Sequence, residues 1–536
     1  MGSIVRVKTA GSQPTVACLV RNSVSHDARV LKEADALAEA GYRVVIVGVM
    51  DRKVATPREV RASGVEIVRV PVPQALLGRR YARNARAWGV VAALGLGSVA
   101  ILVANWSAVR DGARAWLTEH PWDLVPLAIL AAMLAFAGAA FLRLRRSLRS
   151  ARIKRAELSL AAAGPGEVHA PMPGVAVRAV RKAGLARQWV ARLLAGVRIH
   201  GKSRVIAELM HAELDRIRPD AVHCHDLPTL PVGATWRRRN PAAKVAFDSH
   251  EIYDAVAQMP RVAAWMWRRV LARHAAEVDL FVTINDSIAG LLRQRDPALP
   301  PAVIVRNATR LPDSRPQPDG RLRKAAGVEP GKRVLLYQGG YQNGRGLERL
   351  LESAASLPDD WVLVMMGFGS MEGHVKALGA SVDPSGRRIR FIPPAPHAEL
   401  GSWTADADLG LIPYENTCLN HWFCSPNKLW EYPVAGVPML VSPFPELRAV
   451  VERHRVGVCL PETLDGPGLA HLLRSIDGTQ LDAMRENCRR FLEADHWGVY
   501  AERLCAAYRR MLPLPAADSL SGRCTSSPSS ELVHSS

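Results

Sequence analysis

The run Cys424–Ser442 (CSPNKLWEYPVAGVPMLVS) most constrains how this chain can fold, because a polar turn, a short helix and a buried strand must follow one another without slack. Ser425 and Pro426 are helix-start residues, and proline is tolerated where the first N–H has no intrahelical partner, so the amides of Asn427 and Lys428 are left facing an anion. Lys428 either adds a cation at that start or lies solvated. One turn on, Glu431 can accept two hydroxyls. Gly436 and Pro438 close the helix, and Met439 to Val441 read as a buried parallel strand. Upstream, Arg333 to Gln338 is a strand, and Gly339-Gly340-Tyr-Gln-Asn-Gly344-Arg345-Gly346 is a glycine-rich loop leading into a helix over Leu347 to Leu357. Such loops let backbone approach a phosphate closely. Arg345 is a permanent cation at the loop's end, suited to a diphosphate. Taken alone, the same residues also fit an ordinary helix-to-strand connection and a surface arginine.

The rest of the chain repeats the alternation of strand and helix. Val16 to Val20 is a first strand, followed by a loop ending Ser25-His26-Asp27 and a helix with Val30, Leu31, Ala34, Leu37 and Ala38 on one face. Gly41 ends that helix and Arg43 to Gly48 is the next strand. Pro219–Asp226 (PDAVHCHD), Val245–Glu251 (VAFDSHE), Thr283–Asp286 (TIND) and Val303–Asn307 (VIVRN) read as later strand ends. A chain of 536 residues exceeds a single core. The fold class is therefore α/β, with two doubly wound Rossmann-like domains facing a cleft and the ligand outside the carboxyl ends of the strands.

In this order the segments resemble glycosyltransferase family 4, the retaining sugar-nucleotide transferases of the GT-B fold. The resemblance covers nearly the whole chain apart from one insertion and the last residues. It implies that Glu431 binds the nucleotide ribose and that Arg345 stands where the family usually has a lysine at the donor diphosphate. Gly339, Gly340, Gly344, Ser425, Asn427 and Lys428 would surround the donor. His225 corresponds to the active-site histidine; with the strand ending at His223 it would lie in a loop and point into the cleft. His225, Arg345 and Glu431 are thus the candidate catalytic residues, and Asp27, Arg29 and His250 lie on the acceptor side, Asp27 being equally suited to cap the following helix. The implied donor is a nucleoside diphosphate sugar of UDP or GDP type, with no further cofactor and no metal. The chain departs from the family pattern at Phe423, where a second glutamate is usual, and at Gly340, where an arginine is usual. Asn420 or His421 are the nearest stand-ins.

Two stretches within the first half, Ala87 to Trp106 and Leu124 to Leu142, carry no charged residue and are long enough to cross a bilayer as helices. Trp88, Trp106 and Trp122 fall at their ends. Arg79, Arg80, Arg83 and Arg86 precede the first stretch, and seven basic residues from Arg143 to Arg155 follow the second, so both outer flanks are expected on the cytoplasmic side. No signal peptide is visible at Met1. The expectation is a transmembrane hairpin in the cell (inner) membrane with cytoplasmic catalytic domains and a lipid-linked or glycan acceptor, in cell-envelope polysaccharide or glycolipid synthesis. The formal net charge of +20 suits contact with anionic lipid, and Trp189, Val190, Leu193, Leu194 and Val197 share a helical face within the basic segment Arg178 to Arg204. A helix docked on the first domain fits that segment equally well. No nucleic-acid-binding signature accompanies the charge. The eight cysteines show no zinc spacing and read as free thiols.

The resulting division is 1–76 and 176–312 for the first domain, 77–175 for the hairpin, 313–490 for the second domain, 491–512 for a closing helix and 513–536 for a disordered tail. Two other classes compete. One is a membrane scaffold that kept the fold and lost catalysis, motivated by Phe423 and Gly340. The other is a metal-dependent hydrolase drawing ligands from His223-Cys-His225-Asp226 and Asp248-Ser-His250-Glu251.

Overall fold

The computed structural model describes residues 13–25, 27–51, 54, 56–71 and 205–515. The expected hairpin, the basic segment Arg178 to Arg204 and most of the tail lie outside these residues. Among the described residues, no helix is long and apolar enough to cross a membrane.

Eight strands form the first sheet: β1 (Thr15–Leu19), β2 (Arg43–Val49), β3 (Arg58–Val60), β4 (Glu66–Val70), β5 (Ala221–His225), β6 (Lys244–Ser249), β7 (Leu280–Thr283) and β8 (Ala302–Ile304). Their order is β3-β4-β2-β1-β5-β6-β7-β8, parallel throughout except for the β3–β4 pair. The second sheet contains β9 (Arg333–Gly340), β10 (Trp361–Phe368), β11 (Ile389–Ile392), β12 (Leu409–Ile412), β13 (Met439–Val441) and β14 (Gly457–Cys459) in the order β11-β10-β9-β12-β13-β14, all parallel. The central strands are largely apolar, as strands covered by helices on both faces require; every residue of β1 is buried. Strand order reverses beside β1 and beside β9, which opens a crevice at the carboxyl end of each.

Local chemistry sets the boundaries. The Asp27 carboxylate accepts from the Val30 amide and starts the helix Ala28–Glu39. β9 runs two residues further than its sequence pattern suggested, to Gly340, because its last residues still pair with Gly367 and Phe368 of β10. The second domain's last helix ends at Ala494, and the closing helix is Trp497–Met511, started by His496. It returns to the first domain as expected: Cys505 lies 3.4 Å from the Ala36 carbonyl, and the Tyr42 hydroxyl donates to Leu512 at 2.8 Å. All seven described cysteines are free.

Candidate functional site

The second domain's half of the site is built at the ends of β9 and β12. Gly339 has φ +132°, and a Cβ there would stand 2.7 Å from the Lys428 ammonium. Lys428 therefore lies over the strand end, half-buried and 5.6 Å from the ring centres of both Tyr337 and Tyr414. Gly346, at φ +69°, would place a Cβ 1.7 Å from the Pro413 carbonyl oxygen, so this glycine lets the loop lie directly on the end of β12. Gly344 is packed in the same way against the His421 ring. Gly340 meets only its own loop neighbour Gln342. Arg345 holds its guanidinium 4.2 Å over the Tyr414 ring, and among the described residues no carboxylate is within ion-pair reach of it. Its charge is presented to the cleft without a protein counter-ion.

Glu431 is on the helix Lys428–Val434, one turn after Asn427. Its Oε2 accepts from Gln338 Nε2 at 3.0 Å, and Gln338 in turn accepts from the Thr404 hydroxyl at 2.7 Å. This chain holds the carboxylate in place while leaving it half-buried. Gln338 was missed in the sequence, although it immediately precedes the glycine pair.

The first domain's half corrects two expectations. His225 is not in a loop: β5 continues to it in register with Asp248 of β6, and it is buried. Period two therefore aims His223 and His225 at the same face, where their rings stack at 4.2 Å. Arg29 does not reach for an acceptor. Its guanidinium donates to both oxygens of Asp248 at 2.8 Å, to the Val305 carbonyl at 2.7 Å and to Asn307 Oδ1 at 3.1 Å, and pairs with Glu33 at 3.0 Å. Four of the five N–H groups of the fork donate inside the domain, and the charge is further engaged by Glu33 as an ion pair.

The resulting electrostatics follow from who is paired. Burial opposes charge on His225 most strongly, but the hydrogen bond to Asp248 at 3.3 Å, the contact with Cys18 and the charges of Glu33 and Asp248 together outweigh it and raise the imidazole to about 10. His223, equally buried and facing that cation, is held well below its ordinary value. Burial raises Glu33 to about 7 against the pull of Arg29. Burial also works against ionised Asp248, yet Arg29, His225 and His250 keep it well below the usual carboxylate range. His250, by contrast, reaches the cleft. Its Nε2 is 3.0 Å from Asp226, which raises it well above the ordinary histidine value despite burial.

Glu33, His223, His225 and Asp248 bring one ligand atom each within 4.8 Å of one another, so the residue types of a metal site are together. The geometry does not suit a hydrolase. The Arg29 guanidinium already pairs with both carboxylates, and all four side chains are fully enclosed, whereas a catalytic metal needs a position open to substrate. The donors nominated from the two segments are thereby divided between a buried network and the His250–Asp226 pair.

The two halves touch through backbone and amide contacts. Asn420 accepts from the Ile252 amide at 2.6 Å and donates back to its carbonyl at 3.3 Å. It is thus committed to the other domain and does not replace the missing glutamate. His421 contacts Thr417 at 2.8 Å and packs against Gly344. Asn285 donates to the Phe423 carbonyl and to Ser425 Oγ, and Asn307 donates to the Ser425 carbonyl. The Phe423 side chain packs on the first domain's core. Where the family pattern has a carboxylate, this chain has an interdomain contact. Asp27, Arg29, Lys32, His250, Asn307 and Asn427 then line a cavity of about 480 Å3 between the first domain and the start of the Glu431 helix.

No protein-family model matches the chain. Among solved structures, sucrose-phosphate synthase from Thermosynechococcus elongatus superposes with a TM-score of 0.59 at 13% identity, covering 93% of this chain and 99% of that one. WaaG, a glycosyltransferase involved in lipopolysaccharide biosynthesis, gives 0.52 at 12% identity with the same coverage. The fold is GT-B. A glycosyltransferase from Rickettsia africae ESF-5 shares this GT-B arrangement with a TM-score of 0.52 at 11% identity, over 93% of this chain and 99% of that one. At these identities the likeness concerns the fold. In sequence, a D-inositol 3-phosphate glycosyltransferase from Jonesia denitrificans is 26% identical over 198 residues, 35% of this chain and 45% of that protein. The match thus spans less than half of that relative's length.

Proposed function

We propose that the chain is a retaining glycosyltransferase of family 4, moving a sugar from a nucleoside diphosphate sugar of UDP or GDP type to an acceptor at the cytoplasmic face of the inner membrane. The observation that carries the reading is Arg345 held over Tyr414 without a counter-ion, in the same cleft as the oriented Glu431 and the Lys428 ammonium. The GT-B fold and the glycosyltransferase relative support it. A solved relative in the same fold, HepE from Anabaena, was determined with UDP and glucose, at a TM-score of 0.50 and 12% identity.

In this reading Glu431 accepts the ribose hydroxyls, and the diphosphate lies across the ends of β9 and β12. Negative charge gathers on the diphosphate as the glycosidic bond breaks. Arg345, Lys428 and the free amides at Asn427 and Lys428 stabilise it as fixed donors that need no reorganisation. Gly339 makes room for the lysine, as a side chain there would displace it. His250 faces the acceptor from the first domain, and the Arg29–Asp248–His225 network behind it holds the strand ends in place. Retention of configuration, the lipid-linked acceptor and a role in cell-envelope synthesis come with the resemblance and the two apolar stretches. The purified protein, given a panel of UDP and GDP sugars with membrane lipid extract, should form a glycosylated lipid detectable by mass spectrometry. Absence of both transfer and donor hydrolysis would favour the inactive scaffold, and hydrolysis abolished by chelator would favour the metallohydrolase.

A further inference from the structure

Lys32 stands on the helix Ala28–Glu39, about one turn after Arg29, and has a different fate from its neighbour. Its ammonium donates to the Ala308 carbonyl at 2.6 Å and lies 4.8 Å from the Trp497 ring centre. Among the described residues, no carboxylate is within ion-pair distance. Burial, then the adjacent Arg29, push its pKa down to about 8, against the weaker pull of Glu33 and Glu431. Holding an ammonium this way costs free energy that an arriving anion would recover.

The cavity it faces is matched to such an anion. His250, kept protonated by Asp226, and the amide side chains of Asn22, Asn307 and Asn427 share its wall. The one carboxylate there, Asp27, is already committed: Oδ1 accepts from the Val30 amide and Oδ2 from Asn22. The wall thus carries an excess of positive charge and hydrogen-bond donors. Asn427 belongs to the second domain, so an anion bound here bridges the cleft.

We propose that Lys32 is a phosphate ligand, contributing with His250 and the Asn427 turn a phosphate site on the first domain's side of the cleft. This deepens the glycosyltransferase reading and rests on it for the identity of the phosphate. The phosphoryl group belongs either to the donor's diphosphate or to the acceptor, and one set of measurements separates them. Calorimetry on the full-length protein, its Lys32→Met variant and its Lys32→Arg variant should use UDP and inorganic phosphate as probes. Lys32→Met should bind phosphate at least about tenfold more weakly, with most of the affinity restored in Lys32→Arg. Parallel weakening for UDP assigns the site to the donor, and unchanged UDP affinity assigns it to a phosphorylated acceptor. Because Lys32 also touches Ala308 and Trp497, the ligand-induced rise in melting temperature is compared within each variant, which removes a change in basal stability. Equal binding of both probes by Lys32→Met and wild type would overturn the proposal. Lys32-dependent phosphate binding without any UDP binding, and equally without GDP binding when GDP is substituted as the probe, would leave the phosphate site standing and sink the nucleotide-donor reading. A wild-type protein that binds neither probe, nor GDP, would sink both.

Discussion

Arg345 and Glu431 address different parts of the proposed donor, so losing them should have separable effects. Glu431 contacts a group that changes little during reaction, and Glu431→Ala should weaken donor affinity by about tenfold or more, close to 1.4 kcal/mol. Arg345 meets charge that develops as the bond breaks. Arg345→Ala should lower kcat by about a hundredfold or more with a smaller change in donor Kd, measured by steady-state kinetics beside calorimetry. Unchanged kinetics in both variants would discredit the site. Gly346 is a different kind of residue, since its role is space and backbone sign. Gly346→Ala should lower the melting temperature and donor affinity together, because the added carbon collides with the Pro413 carbonyl in a left-handed backbone.

At the scale of elements, the ends of β5 and β6 make stability depend on pH. His225 and His250 both hold a proton more tightly in the folded protein than the ordinary imidazole does. The folded state therefore binds more protons than the unfolded state once pH exceeds about 6.5, and stability falls as pH rises. For His225 the contribution is fully present below about 6.5 and is lost through about 10. Lys32, depressed to about 8, works in the opposite direction above that value, and Glu33, raised to about 7, adds to the fall below its own, so the window in which the histidines dominate is roughly 7 to 8. Melting temperature should decline across it, and His225→Gln should flatten the decline. A slope unchanged by that substitution would show that the imidazole is not the source. The helix Ala28–Glu39 links this cluster to the cleft, for it carries Arg29 inward and Lys32 outward.

For the whole molecule, the cleft is held by a few polar contacts between domains. Asn285 and Asn420 each spend their amides across it, and each such hydrogen bond contributes about 1 kcal/mol. The double variant Asn285→Ala, Asn420→Ala should favour separation of the domains, seen as a larger radius of gyration in small-angle scattering of the ligand-free protein. The proposed attachment to membranes rests on the insertion instead. Deleting Gly78 to Arg155 should move the protein from the membrane fraction to the supernatant. Retention in the pellet would instead transfer that role to the basic segment Arg178 to Arg204.

The sequence alone determined what depends on neighbouring residues. The glycine loop before Arg345, the helix start at Ser425 to Lys428, the apolar strands and the amphipathic closing helix all declare themselves within a few residues, because backbone freedom, capping and periodicity are local properties. The tertiary structure decided how distant segments pair their charges. Arg29 and Asp248 are 219 positions apart, and only the register of β5 against β6 turns His225 inward while His250 reaches the cleft. The same holds for Asn420 and Phe423, whose partners belong to the other domain, and for Lys32, whose isolation exists only once both walls of the cavity are assembled. A side chain's type is written in the chain, but its counter-charge is chosen by the fold.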